Sequence, residues 1–469
     1  MSNVPSQHRL QSGALGLPQI VASTLANIAP AMSFFFGFGL IVSGAGVGAP
    51  LTILVAMVVI LFLTNTLAEF SRYRPSTGSF VTFIGMAFGP AAGAAASVFV
   101  VFGYLVAAAS VVAISGGWAH DTLKLFLGID IPWQVLSVVA TGIVGLLVAR
   151  GVALSTLWAA VFFYFELALL LVGAVVMLVV NRAHLTLAPF EWSHLSGGLK
   201  GIGLGFPIAI YLFIGWENSA TLAEETRDAR RNIPRALIIG TLSIGILYMM
   251  LAYATEIAFH NNAVAIGKSD IPFVDAFKSS AAAFLIVAYL AGLTSIFSSL
   301  LGLTNSQARI LFNSGREGLL PTFFGKIHPR HRTPSVAMWS YVVLALAIVL
   351  VFGIGVKPVD LFGETGSLGT IPVIITYMAT NLALPAYMLR YHREAFNPIK
   401  HGVIPLVGTG LMLFPLWGLV QPGQPKPYNL FPYIALAALA ASVVYGVVLS
   451  RRDPALVQKI GSYVADEEF

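Results

Sequence analysis

Residues 211–235 read YLFIGWENSATLAEETRDARRNIPR. The stretch begins inside a long apolar run and ends in a dense basic cluster. Glu217 stands where an apolar residue is expected, directly after Gly215 and Trp216. In a membrane span, an ionisable residue beside a helix-breaking glycine is a functional-site hypothesis by default. The rest of the chain can be read outward from this break.

The chain has 469 residues, 57% of them hydrophobic and 10% charged. Soluble proteins carry about 25% charged residues. The shortfall runs along the whole chain, so it is not one anchor on a soluble domain. The composition therefore points to an all-α polytopic membrane protein. The formal charge of +6 does not suggest nucleic-acid binding, because the basic residues fall in short segments between apolar runs. With no cysteine there is neither a disulfide nor a thiolate metal site. Residues 1–13 are polar with one arginine, and no cleavage pattern follows the first apolar run. This reads as an uncleaved first span.

Hydropathy places 12 transmembrane helices, at about residues 16–41, 50–70, 92–115, 132–148, 154–180, 199–223, 234–259, 281–312, 335–354, 359–389, 403–420 and 428–449. Alternate ends of these spans differ in charge. One set carries 19 of the 26 Lys and Arg residues, from Arg9 through the cluster at Arg227–Arg235 to Lys459. The positive-inside rule puts that set, and both termini, in the cytoplasm. The longest loops are residues 261–280 and 315–334, too short for an inserted domain. Function then lies within the bundle, with residues 1–390 as a transport core and 391–469 as two further helices and a short tail.

Two spans are interrupted near mid-membrane. In the first, Ala29-Pro30-Ala31-Met32-Ser33 brings a proline, which removes a backbone donor and clashes with the preceding turn. In the sixth, Gly215 follows Pro207. The breaks lie five spans apart. Broken helices 1 and 6 in corresponding halves point to a 5+5 inverted-repeat transporter core. Two unrelated kinks are the plainer alternative.

The motifs around these breaks carry a family resemblance. FIGWENSATLAEETRDARRNIPRA, residues 213–236, resembles the sixth-helix signature of the amino acid–polyamine–organocation superfamily. The shared positions are Phe213, Gly215, Trp216, Glu217, Glu224, Glu225 and residues 230–236. Residues 68–90 resemble that family's junction between helices two and three, and residues 308–334 its loop after helix eight. The resemblance implies a secondary active transporter, with substrate held at the midplane between the unwound parts of helices one and six. It departs at the first break, where Pro30 offers no amide. The amides of Met32 and Ser33 remain as donors for a carboxylate, and amine substrates gain weight.

The candidate substrate residues are Ile28, Ala29, Pro30, Met32, Ser33, Tyr104, Phe213, Gly215, Trp216, Glu217 and Glu364. Glu217 can bind an ammonium group or hold the break by accepting amides. Phe213 and Trp216 can stack on a cation, cap the site, or simply pack. Tyr104 is a wall candidate or a core tyrosine. Glu364 lies in a glycine-rich stretch of the tenth span, facing a vestibule or exposed at a helix end. Glu166, mid-way along the fifth span, occupies the place where resembling proton-coupled transporters hold a lysine. A carboxyl there can carry a proton, bind sodium together with Ser298 or Ser299, or only bridge helices. The arginines of residues 227–235 can pair with Glu224, Glu225 and Asp228 as a gate, or serve topology and headgroup contact.

GGLKGIGLG at residues 197–205 looks like a nucleotide loop but has no strand before it and leads into a span. The nine histidines show no metal-ligand spacing. The expectation is a permease of the cell (inner) membrane, importing an amino acid or related amine, with the proton as coupling ion and sodium as the alternative. It would need no cofactor or metal; its partners are the small-molecule substrate and membrane lipid, with no nucleic acid. Exchange of substrate for product is the close variant. A channel is the reading from a different class.

Overall fold

The computed structural model describes residues 10, 13–196, 198–280 and 284–461. Arg9, Gly197 and the first residues of the eighth predicted span, from Ala281, lie outside the described residues. Within them the chain is helical, with one isolated parallel bridge, Leu15 with Thr226.

The first span is two helices, α1 (Leu17–Ile28) and α2 (Pro30–Ala45). They are followed by α3 (Ala49–Tyr73), α4 (Ser79–Phe88), α5 (Pro90–Leu127), α6 (Trp133–Ala149) and α7 (Val152–Val180). The sixth span is also two pieces, α8 (Leu199–Tyr211) and α9 (Asn218–Thr221). Then come α10 (Ala229–Ala258), α11 (Ala263–Gly267), α12 (Pro272–Ser280), α13 (Leu285–Arg316), α14 (Ser335–Phe352) and α15 (Pro358–Tyr391). The chain finishes with α16 (Ile404–Val420), α17 (Phe431–Arg452) and α18 (Leu456–Lys459). Among the described residues nine helical stretches are long and apolar enough to cross a membrane. The protein is a multi-pass membrane protein.

Proline sets many of the helix starts. α1, α2, α3, α5, α15, α16 and α17 each carry one in the first turn. A missing N–H costs nothing there, since the first-turn amides have no intrahelical partner. Two expectations need correction. The third span is longer than hydropathy places it, because α5 continues to Leu127 beyond the apolar core. Residues 261–280 are not a plain loop, since α11 and α12 fold there, with Asn262 capping α11 through Ala265 N–H.

The bundle is closed by helix pairs in direct contact: α3 with α10, α5 with α15, and α7 with α13. The α5–α15 crossing is made of backbone. A Cβ on Gly369 would stand 2.6 Å from Gly103 O and Ala107 N, and one on Gly103 would stand 2.7 Å from Pro372. Small residues permit such approach, which is how helices gain packing where lipid removes the hydrophobic drive.

Beyond α17 the chain folds back against the arginine-rich end. Arg74 donates to Gly461 O at 2.6 Å, and Gly461 N–H donates to Glu317 Oε1 at 3.0 Å. Burial pushes the Glu317 carboxyl up to about 7 from 4.5, against the pull of Asn313, the Gly461 amide and Arg316. Glu224 adds to the rise. A carboxyl with a higher pKa covered than free stabilises the covered state while protonated. That advantage is present at low pH and is lost as pH rises toward and through about 7. Docking of residues 456–461 should therefore weaken as pH rises from about 4.5 to about 7. Amide exchange at these residues, corrected for its intrinsic pH dependence, should rise over that range. Glu317→Gln should flatten the rise.

Candidate functional site

The first break turns on one residue. Ala29 adopts φ 53° and ψ 74°, closing α1 through its N–H to Ala26 O, and Pro30 opens α2. Left-handed backbone at a non-glycine residue is strained and persists only where its surroundings fix it. Here α7 and α13 do so. Ala31 N–H donates to Glu166 Oε1 at 2.6 Å, and Met32 N–H donates to Ser295 Oγ at 3.0 Å. The Ser295 hydroxyl in turn donates to the same Glu166 Oε1 at 2.7 Å. Ser33 N–H returns to Ala29 O, and its hydroxyl donates to Ile28 O. A carboxylate from one helix thus caps the positive end of another. Glu166 is fully buried, and its Oε2 has no hydrogen-bond partner among the described residues.

The second break is held by its own carboxylate. Gly215 sits at φ 107°, a conformation open to glycine. A Cβ there would also stand 2.7 Å from Asn27 Nδ2. Glu217 Oε2 accepts Gly215 N–H at 3.0 Å, and Oε1 accepts the Tyr104 hydroxyl at 2.5 Å. Asn27 Nδ2 donates to Gly215 O at 3.2 Å and so ties the two breaks together.

Between the breaks lies a cavity of about 40 Å³. That is room for about one water. Ile28, Met32, Ser33 and Gly215 line it, as does Ser299. Asn27, Tyr211, Ile214 and Gln307 line it as well, with Ala107, Ala108 and Val111 of α5 and Leu303 of α13. None of these was singled out from the sequence, although Tyr211 opens the stretch that was. No lining residue is ionisable near neutral pH.

The other candidates lie elsewhere. Ala29 and Pro30 shape the backbone. Phe213 is buried edge-on against Tyr248, and Trp216 edge-on against Tyr377. Both are core packing. Tyr104 is a strut for Glu217 and accepts the Tyr341 hydroxyl on its carbonyl. Glu364 is half-buried on an early turn of α15, outside the lining of the central cavity. Ser298 and Ser299 donate to the carbonyls of Ala26 and Asn27 at 3.5 and 3.2 Å, while Ser295, a residue not singled out, is the hydroxyl on Glu166.

Toward the arginine-rich face the cavity is sealed by ion pairs. Arg309 binds Glu225 through Nε and Nη2, the latter at 2.7 Å, and both side chains are buried. Arg316 pairs with Glu224 and donates to Asn313 Oδ1. The partners of these two carboxylates come from α13, not from the arginines of residues 227–235. Leu15 and Arg227 complete the seal through backbone bonds of 2.9 Å across the bridge. Toward the opposite face the seal is aromatic. Tyr211, Phe362, Phe36 and Trp118 form a continuous chain of ring contacts. Phe36 and Trp118 also line a cavity of about 810 Å³, with Asp121, Asp270, Lys268 and Lys357 in its wall.

Comparison with known proteins agrees with this geometry. Residues 15–445 match the family described as amino acid permease. The chain belongs to the amino acid permease family. Its broken-helix motifs thus reflect membership of the amino acid–polyamine–organocation superfamily, and the protein is a transporter, not an enzyme. It is 24% identical to the branched-chain amino acid permease BcaP of Lactococcus lactis over 87% of this chain and 88% of that one. It is 22% identical to the methylthioribose transporter of Bacillus subtilis, over 80% and 82%. Over a shorter stretch, 31% of this chain and 32% of the other, it is 31% identical to the low-affinity putrescine importer PlaP of Escherichia coli.

Ser295 serves two bonds at once. Ser295→Ala strands the Met32 amide and removes a donor from Glu166, and should cost about 1–3 kcal/mol. Ser298→Ala, whose hydroxyl mainly folds back on Ser295 O at 2.8 Å, should cost less. Thermal unfolding of both variants in detergent checks the order.

Proposed function

We propose that this permease imports a neutral amino acid with an aliphatic side chain, and that proton movement at Glu166 drives the uptake. The observation that carries the substrate class is the lining of the central cavity. Ile28, Val111, Ile214 and Leu303 offer apolar surface, and Asn27, Ser33, Tyr211 and Gln307 offer neutral hydrogen bonds. The two nearby carboxylates are turned away, each onto backbone amides of a break. A buried cation would need a carboxylate facing it, which disfavours an amine. The similarity to a branched-chain amino acid permease supports the same class.

The coupling step follows from the cap on α2. The positive end of a helix is a ready site for a carboxylate. With Glu166 ionised, that end is occupied by the protein's own anion. Protonation at the unpartnered Oε2 weakens the cap and leaves the α2 terminus to the substrate carboxylate. Proton and substrate then bind cooperatively, which is the thermodynamic requirement for symport. Release of the Arg309–Glu225 and Arg316–Glu224 pairs opens the path on the arginine-rich face, taken as cytoplasmic by the positive-inside rule. The wider frame is twelve spans in a cell membrane, built as two inverted five-helix repeats that rock about the breaks.

Sodium coupling is the second reading. Ser298 and Ser299 stand against the Ala26 and Asn27 carbonyls, an all-oxygen set of the kind a hard cation takes.

Purified protein in liposomes, interior alkaline, is given a panel of labelled amino acids and amines. A one-proton symporter can accumulate substrate up to about tenfold per pH unit. Leucine, isoleucine or valine should concentrate, and putrescine and lysine should not. Glu166→Gln should bind substrate but only equilibrate it. Accumulation by that variant equal to the parent's would rule out the coupling role, and accumulation that needs sodium would move it to the serines. Counterflow without a gradient separates exchange from symport, and conductance recording separates a channel.

A further inference from the structure

A third cavity, of about 540 Å³, lies at the arginine-rich end, where Arg74 after α3, the α4–α5 turn, the end of α15 and Ile460 meet. Its wall includes Arg74, Arg390, His392 and Tyr387, and no carboxylate lines it. Arginine at a membrane protein's edge is normally paired or solvated; Arg390 is exposed, whereas Arg74 is half-buried. Neither arginine forms an ion pair among the described residues. Arg74 spends Nη2 on Gly461 O, while its Nε is buried with no hydrogen-bond partner. Arg390 stacks on the Tyr391 ring at 5.3 Å.

Three further features make the pocket receptive to an anion. Gly89 and Pro90 line it, so α5 directs its amino end there, and no side chain caps that end. The positive end of so long a helix favours negative charge. The Tyr387 hydroxyl meets His392 Nε2 at 3.2 Å, presenting a polar wall. Burial, and then the neighbouring Arg74 charge, hold the His392 imidazole below its usual range. A Cβ built on Gly89 meets nothing within 4 Å, so this edge of the pocket is open.

What lies beside the pocket points to the carrier of the anion. Phe88, Leu389 and Tyr391 flank it and are 49%, 50% and 50% exposed. On a multi-pass protein such side chains face acyl chains, with tyrosines at headgroup level. A ligand that satisfies both sides carries a phosphate on an apolar body. We propose that this pocket binds the phosphate of an anionic phospholipid, seated on Arg74, Arg390 and the amino end of α5, with its acyl chains along Phe88 and Leu389. Because Arg74 and Ile460 form part of the wall, the bound lipid also braces the chain after α18 against the bundle. The proposal is independent of which substrate the central cavity takes.

The test uses the full chain in detergent, mixed with vesicles of phosphatidylcholine alone or with added phosphatidylglycerol, and reads co-purified lipid by native mass spectrometry. Phosphatidylglycerol should be retained in preference. Arg74→Gln with Arg390→Gln should lower its apparent affinity at least about tenfold, each basic residue near a membrane surface contributing about 1 kcal/mol. Arg390→Gln alone leaves the Arg74–Gly461 bond intact and should show a partial loss, which keeps the test valid if the double variant does not fold. Arg451→Gln with Arg452→Gln, at the exposed end of α17, should change nothing. Equal retention by the double variant and the parent overturns the proposal. So does displacement of the lipid by glycerol phosphate at matched concentration, which would assign the pocket to a free anion. A preference that emerges only when Asp466, Glu467 and Glu468 are neutralised would assign it to the chain's own acidic end, and would overturn it equally.

Discussion

A bare amide or carbonyl in hydrocarbon costs several kcal/mol, and this chain interrupts two helices in the middle of its bundle. Everything near the centre answers that constraint. At the first break the amides of Ala31 and Met32 are taken by Glu166 and Ser295. At the second, the amide and carbonyl of Gly215 are taken by Glu217 and Asn27. Glu217 reaches back to its own break through Oε2 and is held by Tyr104 of α5 through Oε1. Glu166 reaches across from α7, so the cap on α2 depends on how α1–α2 sits against α7 and α13. A local bond holds a shape, whereas a bond between elements reports their relative position.

The seals divide the same way. The arginine-rich side is closed by buried ion pairs between α13 and the segment after α9. Breaking one partner away from such a pair is costly, because a charge is left without solvent or counterion. The opposite side is closed by rings from α2, α5, α8 and α15, which can slide apart without stranding a charge.

Much of this was legible in the sequence. The family, the helical class and the positions of both interruptions follow from apolar runs, Pro30, Gly215 and the motif around Glu217. Which residues face the cavity was not. Ser295, Ser298 and Ser299 lie within two turns of one helix, and only the rotation of α13 decides which hydroxyl meets Glu166. Phe213 and Trp216 look like binding aromatics, but the turn at Gly215 swings them into the core against Tyr248 and Tyr377. Asn27, Tyr211 and Gln307 carry no pattern that separates them from ordinary polar residues in a span. Hydropathy also has no term for the length of α5, whose last turns are polar.

The α5–α15 crossing has a mechanical consequence. With Gly369 and Gly103 in backbone contact, there is no side-chain layer between the two helices to deform. Close-packed interiors transmit displacement instead of absorbing it. The two helices therefore meet without a spacer beside Ala107, in the wall of the central cavity. A side chain at either glycine would have to force the two helices apart at the wall of that cavity, so the width of the cavity is set by residues that do not line it.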